Sequence, residues 1–193
     1  MDIRGLLLCG GASVRFGRNK LLESVDGTPM AALTARTVAL AIDRVLAVTR
    51  TGEHGVREML EAEGCEVMAT DRTLLGLGAS LAAGVGASAD ASGWVVALAD
   101  MPFIREETFH AVREALEAGA VIAAPLDRAS GRRGHPVGFS AALRRELLDL
   151  DGDEGARSVI ARHAQSVVLV EVDDPGIFRD IDRPEDLVSP LAS

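Results

Sequence analysis

Aromatic residues are scarce: 193 residues include no tyrosine, one tryptophan and five phenylalanines. Recognition that stacks bases along rows of aromatic rings is therefore a poor fit. Positive charge is also in deficit. Twenty lysines and arginines stand against 29 acidic residues, a formal net charge of −9, which argues against a duplex-binding surface. A phosphorylated ligand would have to be held by a local cluster of cations. Cys9 and Cys65 are too few for a disulfide framework and fit a reducing compartment. No apolar run approaches the roughly 20 residues that span a bilayer. The first apolar run, Leu6 to Cys9, is too short for a signal peptide, and glycine-rich sequence follows at once. No linker, repeat or low-complexity segment is visible. These absences predict a soluble, cytoplasmic protein with neither membrane nor nucleic acid as partner, forming a single domain over residues 1–193.

What is present alternates. Short apolar runs at 3–9, 44–49, 66–69, 94–98, 121–125 and 167–172 predict strands. Helical patterns occupy 30–41, 56–63, 79–87, 106–118, 142–148 and 156–163. Thr28 and Pro29 read as an N-cap followed by proline at the first helical position. Gly64 and Gly119 stand where C-terminal caps belong. The alternation predicts an α/β fold, a Rossmann-like three-layer sandwich around a mostly parallel central sheet. In such sheets ligands bind at the carboxyl ends of the strands.

The stretch from Leu6 to Leu22 carries the strongest signal. A buried strand empties into Gly10 and Gly11, and Ser13, Arg15, Gly17 and Lys20 follow. Small residues expose backbone N–H groups, and the two cations suit a polyphosphate. The alternative is an ordinary glycine-rich turn. Arg18 and Asn19 separate Gly17 from Lys20, so this is not a P-loop, and the glycine spacing does not fit the dinucleotide fingerprint. A second apolar strand ends in Asp100, and Pro102 blocks further regular pairing. Such a carboxylate either binds Mg²⁺ beside substrate phosphates or caps the next helix. Asp180 and Asp182 share a face if their segment is extended, as a metal site or a solvated edge. Glu185 and Asp186 read as acids of an early helical turn. Gly78 and Ser80 bring backbone close to a base or sugar, or simply open a helix. Arg132 and Arg133 are candidates for a phosphorylated acceptor or a solvated loop. His135, before Pro136, is a pocket residue or a structural one.

In order along the chain, these segments resemble the molybdenum-cofactor nucleotidyltransferases, the MobA/MocA-like NTP transferases. The first is similar to that family's Leu-Ala-Gly-Gly-x-Ser-x-Arg-Met-Gly-x-x-Lys, with Cys9 in place of Ala and Phe16 in place of Met. The Asp-x-Pro at Asp100 and the closing segment 180–187 also resemble family motifs. Residues 78–84, 134–137 and 152–157 are similar to the molybdopterin cytidylyltransferase branch. The resemblance implies a fold of nucleotide-diphospho-sugar-transferase type. It implies transfer of CMP from CTP to the phosphate of Mo-molybdopterin, with Mg²⁺ or alternatively Mn²⁺, and release of pyrophosphate. On that resemblance Arg15, Lys20 and Asp100 carry catalysis, and Asp100 with Asp180 or Asp182 holds the metal. Leu8, Cys9, Gly10, Gly11, Ser13, Arg15, Gly17, Lys20, Gly78, Ser80 and His135 bind the substrates, with Arg157 on the acceptor side. The Leu8-Cys9-Gly10-Gly11 stretch is closer to the guanylyl branch, so GTP is the alternative donor. A sugar phosphate or other metabolite is an alternative acceptor, and a non-catalytic nucleotide-binding or cofactor-delivery chaperone is the alternative of another class. A recipient molybdoenzyme is the implied protein partner.

Overall fold

Strands that are apolar on both faces must lie inside a covered sheet. β1 (Ile3–Leu8) is such a strand, buried along its whole length. The computed structural model describes residues 1–10 and 19–187. Beyond β1, the strands are β2 (Ser24–Val25), β3 (Thr28–Pro29), β4 (Val45–Thr49), β5 (Glu66–Ala69), β6 (Gly93–Leu98), β7 (Ile122–Asp127), β8 (Val137–Ser140) and β9 (Val167–Val172). The α-helices are α1 (Met30–Ala41), α2 (His54–Ala62), α3 (Leu77–Ala87), α4 (Glu106–Glu117), α5 (Arg144–Leu148) and α6 (Arg157–Arg162). Seven strands form the main sheet in the order β5-β4-β1-β6-β8-β7-β9. Pairing is parallel except where β8 runs antiparallel between β6 and β7.

Alternation along each strand sends side chains to two cores. Leu7, Ala47, Val95 and Ala97 face one layer, where they meet Ala35 and Val38 of α1, Leu60 of α2 and Phe109 of α4. Leu6, Leu8, Val48, Trp94 and Val96 face the other, with Leu81 and Val85 of α3, Leu147 of α5 and Val159 of α6. Trp94 is fully buried, and its indole N–H donates to Ser88 Oγ at 2.9 Å. The result is the expected three-layer α/β sandwich.

Two local expectations need correction. Thr28 and Pro29 do not begin α1; they form β3, which pairs antiparallel with β2 across the Asp26-Gly27 turn. Both turn residues have positive φ, 48° and 86°, which an Asp-Gly pair supplies readily. Pro29 is the extended residue before Met30, the first helical one. The second correction is β8, absent from the sequence-predicted strands. A Cβ at Gly138 would stand 2.9 Å from both Val112 and Leu116 of α4, so a glycine lets this strand lie under the helix. Gly64 and Gly119, at φ 84° and 100°, end α2 and α4 as expected.

The segment after β9 returns over the Asp-x-Pro loop. Asp174, buried, accepts from the Arg105 N–H at 2.8 Å and from Thr108 Oγ1 at 2.6 Å. A Cβ at Gly176 would collide with the Phe103 carbonyl. Gly176→Ala is therefore expected to destabilise the fold by about 1–3 kcal/mol, the usual range for overpacking, measured by urea unfolding. An unchanged midpoint would show that this return segment is not tightly seated.

Candidate active site

The carboxyl ends of β1, β4 and β6 open on one side of the sheet, and the candidate residues gather there. Gly10 follows β1, and a Cβ on it would meet Ser80 Oγ at 2.9 Å and Thr73 Cβ at 3.0 Å. Lys20 begins a short 3₁₀ turn capped by Asn19, whose side chain accepts from the Leu21 N–H. Asp100 follows β6. The three segments meet through one ammonium group. Lys20 Nζ donates to Asp100 Oδ2 at 2.7 Å, to the Ile181 carbonyl at 3.0 Å and to Asp182 Oδ1 at 3.3 Å. Burial disfavours the Lys20 charge, but the paired carboxylates of Asp100 and Asp182 outweigh it and raise the lysine pKa.

Ile181 explains how the last motif reaches the site. Its side chain is fully buried and its N–H donates to the Asp100 carbonyl at 2.9 Å. That leaves Asp180 and Asp182 exposed on either side of it, as alternation predicts. Only Asp182 of the two pairs with Lys20. Asp186 Oδ2 accepts from the N–H groups of Asp182 and Arg183, holding that turn in place.

Two carboxylates and a carbonyl around a single cation form a hard oxygen donor set, which fits Mg²⁺ or Mn²⁺. Among the described residues no three His, Cys, Asp or Glu side chains converge in metal-binding geometry. Water and substrate phosphates would complete the shell, as is usual for Mg²⁺.

Two cavities adjoin here and share Leu8, Leu77, Leu98 and Asp153 as walls. The first, about 420 Å³, is bounded by Cys9, Gly10, Lys20, Arg50, Glu53, Thr73 and Asp100. The second, about 320 Å³, is bounded by Arg133, His135, Phe139 and Arg157. His135 Nδ1 is buried with no hydrogen-bond partner. Burial, with help from Arg157 and Arg133, lowers the His135 pKa against the pull of Asp100 and Asp180, so the ring is neutral at physiological pH. Cys9 is buried, its thiol 3.7 Å from the Leu7 carbonyl, and burial drives its pKa well up. It is a poor nucleophile.

Other predicted residues fall differently. The Gly78 N–H donates to the Gly152 carbonyl at 2.8 Å, and a Cβ there would press on the Asp151 carbonyl. Its close approach is to another chain segment rather than to open cavity. Ser80 is fully buried and donates to the Gly76 carbonyl, so its hydroxyl is engaged within its own helix. Arg132 covers the Phe178 ring at 4.7 Å, while Arg133 lines the second cavity. Gly11, Ser13, Arg15 and Gly17 lie outside the described residues. Sequence reasoning missed Arg50, Glu53, Thr73 and Asp153. The first two follow the carboxyl end of β4, where the general rule for open sheets could have found them.

Among the described residues, no helix is long and apolar enough to cross a membrane. The sequence profile of the MobA-like NTP transferase domain matches residues 5–167. The purine catabolism protein PucB of Bacillus subtilis is 30% identical over 194 residues, covering 94% of this chain and 92% of PucB. A molybdenum cofactor guanylyltransferase of Burkholderia vietnamiensis is 31% identical over 200 residues, covering 97% of this chain and 95% of that enzyme. Among solved structures, Rv0371c of Mycobacterium tuberculosis superposes with a TM-score of 0.83 at 25% identity, over 96% of this chain and 95% of that one. A manganese complex of Rv0371c gives 0.80 at 23% identity, over 96% of each chain.

Proposed function

The chain belongs to the MobA-like NTP transferase family, and from that premise we propose that it transfers CMP from CTP to the phosphate of the molybdenum cofactor. Nucleotidyl transfer itself follows from the family. The observation that carries the site assignment is the ammonium of Lys20 held between Asp100 and Asp182 on the rim of a nucleotide-sized cavity. The name of the Burkholderia relative supports the acceptor. Three segments support cytosine. Residues 78–84, 134–137 and 152–157 resemble the cytidylyl branch and each contributes to the lining of the second cavity, and Gly78 bonds Gly152. GTP is the second reading, because the Burkholderia relative is a guanylyltransferase.

An oxygen of the acceptor phosphate attacks the α-phosphorus, the bond from that phosphorus to the β-phosphate oxygen breaks, and pyrophosphate leaves. Positioning and charge neutralisation drive such a step. Lys20, kept charged by its carboxylate partners, offsets charge on the leaving pyrophosphate, and the motif assigns Arg15 to the same triphosphate. Gly10, with Gly11, Ser13 and Gly17 of the same motif, lets backbone N–H groups approach those phosphates. Leu8 and Cys9 form the floor beneath the donor nucleotide. Arg133 and Arg157 draw the acceptor phosphate into the second cavity. Neutral His135 offers that ligand one donor and one acceptor. Asp100 and Asp182 would hold a divalent ion, which would supply charge neutralisation on the phosphates; that Rv0371c forms a manganese complex supports such an ion. A recipient molybdoenzyme would take up the product.

The test is pyrophosphate release with Mg²⁺, molybdenum cofactor and each of the four triphosphates. Release that requires both CTP and the acceptor is expected. Release with GTP alone would make guanine the base, and no acceptor-dependent release with any triphosphate would overturn the acceptor.

A further inference from the structure

We propose that Glu53 reads the nucleobase, its Oε2 accepting a hydrogen bond from an exocyclic amino group of the base seated in the first cavity. The inference rests on the nucleotide assignment above and adds the residue that selects among bases. Glu53 stands just before α2 and lines the same cavity as Gly10 and Thr73. Asn19 fixes its carboxyl group. The Asn19 side-chain oxygen accepts from the Leu21 N–H at 3.1 Å, and its amide nitrogen donates to Glu53 Oε1 at 3.1 Å. Both ends of that amide are thus occupied. Glu53 Oε2, by contrast, is buried and has no hydrogen-bond partner.

An orphaned buried carboxyl oxygen is costly, and a ligand donor would satisfy it. The cavity suits a base. Leu8, Leu74 and Leu77 supply apolar walls for its faces, while Lys20 and Asp100 mark the phosphate end. Burial also raises the Glu53 pKa, against the pull of the Arg50 charge and backbone. Cytosine, adenine and guanine each carry an exocyclic amino group. Uracil presents a carbonyl oxygen in place of the amino group of cytosine, and oxygen would then face oxygen.

Calorimetric titration of the intact protein with CTP, GTP, ATP and UTP, in the presence of Mg²⁺, tests this. The wild type is expected to bind its preferred amino-bearing triphosphate at least about tenfold more tightly than UTP, the worth of roughly one good hydrogen bond. Glu53→Leu is expected to remove that preference, weakening the amino-bearing triphosphate and tightening UTP, since neither the hydrogen bond nor the oxygen–oxygen contact remains. Glu53→Gln should invert it toward UTP, because Asn19 claims the new amide oxygen and leaves the NH₂ group toward the base. Unfolding midpoints confirm that both variants are folded. Equal losses for all four triphosphates, or ratios that do not move in either variant, would overturn the role of Glu53 while leaving the nucleotide site intact. No binding of any triphosphate by the wild type would overturn both assignments.

Discussion

Asp100→Asn is expected to lower the turnover number by about a thousandfold or more while changing nucleotide affinity less than about tenfold, the pattern of a group that acts in the transition state. The backbone work of this residue survives the change, since its carbonyl, not its side chain, accepts from the Ile181 N–H. What disappears is a full negative charge 2.7 Å from Lys20 Nζ. An asparagine oxygen can still accept from the ammonium, but it neither holds Lys20 charged as strongly nor ligates a hard cation as well. Stability should fall modestly, by about 1–2 kcal/mol, because Asp182 and the Ile181 carbonyl remain as partners and the site is part-exposed. The sign with pH follows from the raised Lys20 pKa. The pairing contributes fully below the ordinary lysine range and is lost only as pH rises beyond it, so assays near neutrality sample the whole effect. Steady-state kinetics with urea unfolding check this. A turnover number within tenfold of wild type would remove Asp100 from the chemistry.

The parallel half of the sheet was legible because β1, β4 and β6 are buried on both faces and therefore read as apolar runs. β8 was not, since four residues containing a glycine have no periodicity to read; its position depends on Val112 and Leu116 of α4. The same holds for the two-residue strands of the β2–β3 hairpin, visible only through the Asp26-Gly27 turn. At the site, Lys20, Asp100 and Asp182 could each be picked out as motif residues. Their meeting could not, because 80 and 162 positions separate Lys20 from its two acidic partners. That meeting depends on tertiary fasteners that carry no motif: the Asp174 carboxylate on Arg105 and Thr108, and Gly176 against Phe103. Ser80 shows the converse. Its motif suggested a ligand contact, yet a buried serine in a helix finds the carbonyl four residues back first.

Lys20→Met separates two roles that one ammonium group combines. Methionine keeps the length and apolar stem of the side chain but leaves Asp100 and Asp182 facing each other without the cation between them. In the metal-free protein this should cost about 1–3 kcal/mol, less than a fully buried pair because Asp182 is half exposed. A divalent ion no longer competes with the lysine for those carboxylates, so Mn²⁺ should bind about tenfold more tightly than to the wild type, near 1.4 kcal/mol, and should recover the lost melting temperature. Turnover should nonetheless stay about a hundredfold or more below wild type at saturating Mn²⁺, because the ion replaces the charge between the carboxylates and not the charge offered to the leaving pyrophosphate. Calorimetry with Mn²⁺ and a thermal melt read the first role, and pyrophosphate release reads the second. Unchanged Mn²⁺ affinity would remove Asp100 and Asp182 as the pair that holds the ion. Recovery of full turnover by Mn²⁺ would make Lys20 a counter-ion for the two carboxylates and nothing more.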